Sequence, residues 1–295
     1  MNAAIVLAHA EKAITGESPV WDAARATLWW IDIQGKRLLG LQIPVGPRAP
    51  IALPSEPGLV AIGSDGRLVI GLEDGLWTYA PETGTLEILA PLRFEAPNIR
   101  LNDGKPDKQG RLWFGSMDKT GSGAPVGGLF CRDIDGQIRQ VRGGIRVPNA
   151  IAVSPDGGTL YFTDSPSQEI LAIELDQETG ALLGERALHR YQGNERPDGT
   201  AIDTEGGIWV AVVNGNRIDR LRSDGTLDFS IAVPVSRPTM PAFGGVGMSR
   251  LFVTSQRRFL ENDQLAAQPW AGSLIETSVA ARGISMAVRL GGAAG

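Results

Sequence analysis

The stretch Gln109-Gly-Arg-Leu-Trp-Phe-Gly115 reads as a tight turn followed by a buried strand. Its glycine supplies the positive φ that a hairpin needs, and an aliphatic–aromatic pair enters the core behind it. The same signature recurs along the chain. Its pairs are Leu28-Trp29, Leu68-Val69, Leu112-Trp113, Leu160-Tyr161, Ile208-Trp209 and Leu251-Phe252, at successive spacings of 40, 44, 48, 48 and 43 residues. A propeller blade of four antiparallel strands needs roughly 40–50 residues, so the period predicts six blades. Helical repeats of similar length are disfavoured, because the intervening segments alternate at period two and are broken by Gly, Pro and Asp.

Each repeat resolves further. Ser64-Asp65-Gly66, Gln109-Gly110, Asp156-Gly157 and Glu205-Gly206 are turns between strands A and B. The runs 75–79, 128–132, 170–174 and 217–221 are C strands, each followed by a second turn at Thr83-Gly84, Asp135-Gly136, Thr179-Gly180 or Asp224-Gly225. The expected fold is therefore all-β: a six-bladed β-propeller, one domain over residues 1–295, closed by the chain termini. Ala4–His9 is placed to join the last blade, Ile284–Leu290 competes for that position, and 291–295 is expected to fray.

Composition agrees with a turn-rich soluble protein. Glycine makes up 38 of 295 residues, nearly twice the ~7% usual in proteins. The net charge is −5 and no basic block exceeds Arg257-Arg258, so nucleic acid is not an expected partner. One cysteine, Cys131, provides neither a disulfide nor a thiolate metal site. The apolar run near the N-terminus is too short for a membrane span and lacks the basic start of a signal peptide, so no membrane is implied and the expected compartment is the cytoplasm. Monomer and homodimer are both compatible.

In a propeller the A strand of each blade opens at one end of a central channel. Counting ten or eleven residues back from the repeated pairs gives Glu17, Asn102, Asn149 and Asp198. For each residue alone, capping a turn is as good an explanation. Four oxygen-bearing side chains at one level of one channel are a different matter, because they repel or stay unsatisfied unless a cation sits among them. Carboxylate and amide oxygens without imidazole or thiolate suit a hard divalent ion.

The segments Gly16-Glu-Ser-Pro-Val-Trp21, Arg100-Leu-Asn-Asp-Gly-Lys-Pro-Asp107, Pro148-Asn-Ala-Ile-Ala-Val153 and Pro197-Asp-Gly199 resemble the SMP-30/gluconolactonase/regucalcin family, in the family's order and over nearly the whole chain. The resemblance implies a sugar lactonase with one divalent metal held by Glu17, Asn149 and Asp198. It also implies that Arg100 and Asn102 hold the substrate, with Asp118 as a looser counterpart of a further acidic substrate residue. Ca²⁺ is the expected cofactor; Mg²⁺, Mn²⁺, Zn²⁺ or Fe²⁺ can bind the same oxygens.

Those residues suit hydrolysis of a sugar-derived lactone (aldonolactone) to its aldonic acid in carbohydrate catabolism. The metal polarises the carbonyl and activates water, and Asp198 doubles as ligand and general base. Two alternatives stand beside this: a calcium-binding or scaffold propeller without catalysis, and an organophosphate or aryl esterase on the same fold. A Ser-His-Asp triad is poorly supplied, since His9 and His189 both fall on expected outer or terminal strands. Cys131 reads as a packed thiol, Gly244-Gly-Val-Gly247 as a tight strand passage, and Arg257-Arg258 as a solvated loop. The tryptophans read as blade packing, with Trp21 and Trp30 as candidates for the channel mouth.

Overall fold

A computed structural model of the chain describes residues 4–291. The repeated pairs all lie on second strands of antiparallel sheets, five-stranded in blade 1 and four-stranded in the other five: Thr27–Asp32, Leu68–Leu72, Leu112–Asp118, Thr159–Asp164, Ile208–Val213 and Arg250–Ser255. Each of these is flanked by an A strand, which for blades 1 to 6 runs Gly16–Asp22, Leu59–Ile62, Ile99–Pro106, Pro148–Val153, Arg196–Ile202 and Pro238–Gly244. The six blades make a six-bladed β-propeller. The expected C strands are present in blades 2 to 5, and the A–B turns place Gly110 and Gly157 at φ +92° and +85°, which a side chain would strain. Among the described residues no helix is long and apolar enough to cross a membrane.

Both terminal segments find places. Val6–His9 pairs with Leu274–Ser278 and becomes the outer strand of blade 6. The competing C-terminal segment goes elsewhere: Val288 exchanges backbone hydrogen bonds with Ile62 and Ser64 at 2.8 Å each, and Arg289 N–H donates to Gly110 O at 2.8 Å. Val288 and Leu290 thereby enter the apolar cluster of Leu59, Leu101 and Phe114. Beyond Gly291, the expected frayed end lies outside the described residues.

The chain divides into two compact units. The described residues up to Glu56 with Tyr191–Ile284 carry blades 1, 5 and 6; Pro57–Arg190 with the described residues from Ser285 carry blades 2, 3 and 4. Within each unit, neighbouring blades share their cores. Trp209 of blade 5 packs with Phe243, Leu251 and Val253 of blade 6, and Trp113 of blade 3 packs with Ile151, Leu160 and Phe162 of blade 4. Burying each such side chain contributes about 1.5–3 kcal/mol. Trp21 and Trp30, the candidates for the mouth, belong here too: both are buried with Leu28, Leu39 and Phe252. Their flat apolar faces fill the seam between blades 1 and 6 instead of lining an opening.

Five of the six A strands break register with their partner: Glu17/Val20, Asn102/Gly104, Asn149/Ala152, Pro197/Thr200 and Pro238/Met240. Only the A strand of blade 2 pairs without a shift. In three of them a non-glycine residue takes the left-handed region directly after a candidate site residue: Ser18 at φ +51°, Asp103 at +49° and Ala150 at +53°. A bulge inserts an extra residue and re-aims the side chain beside it, and strain of this kind gathers at functional sites.

Candidate active site

In the unit of blades 2 to 4, the predicted residues are joined by hydrogen bonds. Arg100 Nη1 donates to Asn102 Oδ1 at 2.7 Å and to Leu101 O at 2.8 Å. Asn102 Nδ2 donates to Pro148 O at 2.8 Å and to Asn149 Oδ1 at 2.9 Å, and Asn149 Nδ2 donates to Ser165 Oγ at 2.9 Å. All three of Arg100, Asn102 and Asn149 are buried. The row fixes the amide of Asn149 with its oxygen turned toward Asn102. Both protons of the Asn102 amide are used, so Asn102 is left as an acceptor with its second carbonyl lone pair.

Asp103 clamps the same place from the backbone side. Its Oδ2 accepts from Ile151 N–H at 3.0 Å and its Oδ1 from Gly104 N–H at 2.7 Å. Asn102 and Asp103 therefore grip the A strand of blade 4 at Pro148, Asn149 and Ile151, on both sides of its bulge. Full burial pushes the Asp103 carboxyl up to about 6, against the opposing pull of Lys105 and the two backbone donors.

In the unit of blades 1, 5 and 6, Glu17 and Asp198 open the A strands of blades 1 and 5, and their residues are only 8% and 9% exposed. Glu17 Oε2 accepts from Ser18 N–H at 2.8 Å, across the bulge. The A strand of blade 6 packs beside both strands. Thr239 Oγ1 donates to Gly16 O at 2.5 Å on one side, and a methyl on Gly199 would collide with Met240 on the other. Arg237 directly precedes that strand. Burial lowers its pKa, and the charge of Asp198 opposes the shift.

The model of the SMP-30/Gluconolactonase/LRE-like region matches residues 15–257, which span all these positions. The chain belongs to this family. It is 32% identical over 287 residues to a 6-deoxy-6-sulfogluconolactonase of Pseudomonas putida, covering 95% of this chain and 96% of that one. It is 31% identical to a regucalcin of Xenopus laevis, covering 92% and 93% of the two chains. A solved regucalcin from Agrobacterium tumefaciens, described as a calcium-binding protein, superposes with a TM-score of 0.92 at 32% identity and 98% coverage of both chains.

Asp118 ends the second strand of blade 3, and its carboxylate is occupied by its own loop. It accepts from Thr120 Oγ1 at 2.6 Å, Thr120 N–H at 3.0 Å, Ser122 N–H at 3.1 Å and the Ser122 hydroxyl. The Ser122 and Thr120 hydroxyls hold its pKa well below the usual carboxylate range. Both histidines and the cysteine sit as expected. His9 lies on the outer strand of blade 6 against Trp30, His189 lies on the outer strand of blade 4, and burial pushes the Cys131 thiol up to about 12.

Sequence reasoning missed Asp103, Ser165 and Thr239. Asp103 was legible in principle, since Asn102-Asp-Gly104 combines residues that tolerate a left-handed bulge. Ser165 and Thr239 make contacts that no spacing announces. Among the described residues no three His, Cys, Asp or Glu side chains form a metal cluster. The donors named from the sequence are two carboxylates and one amide, and such a set fits a hard ion that keeps water in its shell.

Proposed function

We propose that this family member hydrolyses a sugar-derived lactone to its aldonic acid in cytoplasmic carbohydrate catabolism, with a divalent ion held by Glu17, Asn149 and Asp198. Ca²⁺ is the first choice for these oxygens. Bound there, the ion would supply Lewis-acid polarisation of the lactone carbonyl and lower the pKa of a bound water. The observation that carries the reading is the buried row Arg100–Asn102–Asn149, which joins a substrate-orienting pair to a candidate ligand. The relative named a 6-deoxy-6-sulfogluconolactonase supports the substrate class.

The protein groups divide the work. Asp198 takes a proton from the attacking water and, once protonated, carries the proton that the departing ring oxygen requires. Arg100 contributes a guanidinium held by Asn102 and Leu101 O, so little side-chain entropy is lost when a sugar oxygen replaces water beside it. Asn102 accepts from a sugar hydroxyl through its remaining lone pair. Asp118 acts through the 119–122 loop, which it ties down beside the second strand of blade 3. Asp198→Asn should lower ion-dependent lactone opening at least 100-fold in a pH-indicator assay with the spontaneous rate subtracted; full retained activity would end the assignment.

A second reading, ion binding without turnover, is favoured by the calcium-binding description of the Agrobacterium relative. A protein that binds Ca²⁺ while leaving every aldonolactone at its spontaneous rate would establish it.

A further inference from the structure

Six of the described arginines in the unit of Glu17 and Asp198 are held by carboxylates, among them Arg217 by Glu195 and Asp219, Arg220 by Asp203 and Asp228, and Arg250 by Glu276. Arg237 and Arg258 depart from that pattern. The side chain of Arg237 makes one hydrogen bond, from Nη1 to Asn214 Oδ1 at 2.9 Å, and its Nε is buried without a partner. Its guanidinium lies over the ring of Phe259 at 5.4 Å, and that of Arg258 lies over the same ring at 4.7 Å. Two cations thus gather at one ring, and among the described residues neither is salt-bridged by a carboxylate, although the charge of Asp198 acts on Arg237.

Phe259 itself is out of place for a packing residue. It is 66% exposed and sits at φ +68°, a conformation that a bulky side chain adopts only under strain. The position of Arg237 adds the chemistry. It enters the A strand of blade 6, which lies beside the strands of Asp198 and Glu17, at the end where those carboxylates open their own strands. A partly dehydrated guanidinium that no carboxylate salt-bridges is costly even with the charge of Asp198 acting on it, and an oxyanion hydrogen-bonded to the guanidinium offsets that cost with charge-assisted hydrogen bonds.

We propose that Arg237, backed by Arg258 and the Phe259 ring, is an oxyanion subsite that receives a carboxylate, phosphate or sulfonate group on the sugar chain away from the lactone carbonyl. The proposal rests on the lactonase reading above, and it makes the preferred substrates acidic sugar lactones.

The test compares glucono-1,5-lactone with its 6-phosphate on the metal-loaded wild-type protein, Arg237→Met, Arg237→Lys and Arg258→Met. The ratio of kcat/KM for the phosphorylated over the neutral lactone should fall roughly 10- to 100-fold in Arg237→Met, mainly through KM. Arg237→Lys should recover part of it and Arg258→Met should lose less. Equal losses on both lactones, or an unchanged ratio, overturn the proposal. Calorimetric titration with 6-phosphogluconate and gluconate gives a readout independent of turnover. The phosphorylated ligand should bind the wild type more tightly and lose that advantage in Arg237→Met. If only gluconate weakens, Arg237 holds the carboxylate released from the lactone, and the assignment to the distal group is overturned. If neither lactone opens above its spontaneous rate, the lactonase reading fails while the titration still decides the subsite.

Discussion

Asp103 joins two conditions that an aspartate carries at a cost, complete burial and a left-handed backbone, and both serve the strand next door. Its two oxygens take the backbone donors of Gly104 and Ile151, which keeps the bulge at Asn149 closed. An unfolded aspartate releases its proton near 3.9, whereas folded Asp103 keeps it to about 6. Between those values the folded chain binds the extra proton, so this contribution to stability is complete at the lower pH, declines as pH rises, and is spent above about 6. Asn at this position tolerates the same backbone and retains one acceptor, but it does not titrate. Urea unfolding of wild type and Asp103→Asn from pH 4 to 7 isolates the effect, because other groups cancel in the difference. The wild type should gain on the variant as pH falls from 6 to 4, and a difference that stays constant over this range contradicts the assignment.

At the scale of strands and turns, three alternate blades repeat one device. An aspartate at the end of the A strand accepts the indole N–H of the tryptophan on the B strand: Asp22 from Trp29 at 3.4 Å, Asp107 from Trp113 at 3.0 Å and Asp203 from Trp209 at 2.8 Å. Asp203 also takes Glu205 N–H, Gly207 N–H and Arg220, so the whole A–B turn of blade 5 hangs on one buried carboxylate. Burial alone would raise its pKa, yet Arg220, Trp209 and the turn outweigh that and hold it below the ordinary value. Asp203→Ala leaves three N–H groups without their acceptor while Arg220 keeps Asp228, and should cost about 3 kcal/mol of unfolding free energy. Asp22→Ala, with a longer indole bond and a partly exposed Arg25, should cost about 1–2 kcal/mol. Chemical denaturation of both variants checks the order, and equal costs would show that the tryptophans are held by packing alone. The Asp–Trp spacing of six or seven residues was there to be read in the sequence, as were the glycine turns, because both are local. The bulges were not. A register shift depends on what the neighbouring strand offers, and only Asn102-Asp-Gly104 and the prolines at Pro19, Pro148 and Pro197 hinted that the A strands depart from a regular ladder.

For the molecule as a whole, the blade count was legible because each blade restates its own turns and core pair, while the route of the C-terminal segment was not, since Val288 bonds to residues more than two hundred positions away. The candidate site was half legible. Counting back from the repeated pairs named Glu17, Asn102, Asn149 and Asp198 as candidates, but it could not show that Asn102 spends its amide protons on Pro148 and Asn149. The proposed donors have a consequence for the entire fold, because an ion bound by the native chain and not by the unfolded one stabilises it by mass action. At a free ion concentration about 100 times Kd the gain is about 2.7 kcal/mol. Urea midpoints should therefore rise with Ca²⁺ at constant ionic strength, without a change in slope, since the surface exposed on unfolding stays the same. Asn149→Ala should lose most of that rise and Asp118→Ala should keep it, because the carboxylate of Asp118 is already engaged by Thr120 and Ser122. A midpoint indifferent to Ca²⁺, Mg²⁺, Mn²⁺, Zn²⁺ and Fe²⁺ alike would remove the ion from the mechanism, and an undiminished rise in Asn149→Ala would move it to other ligands.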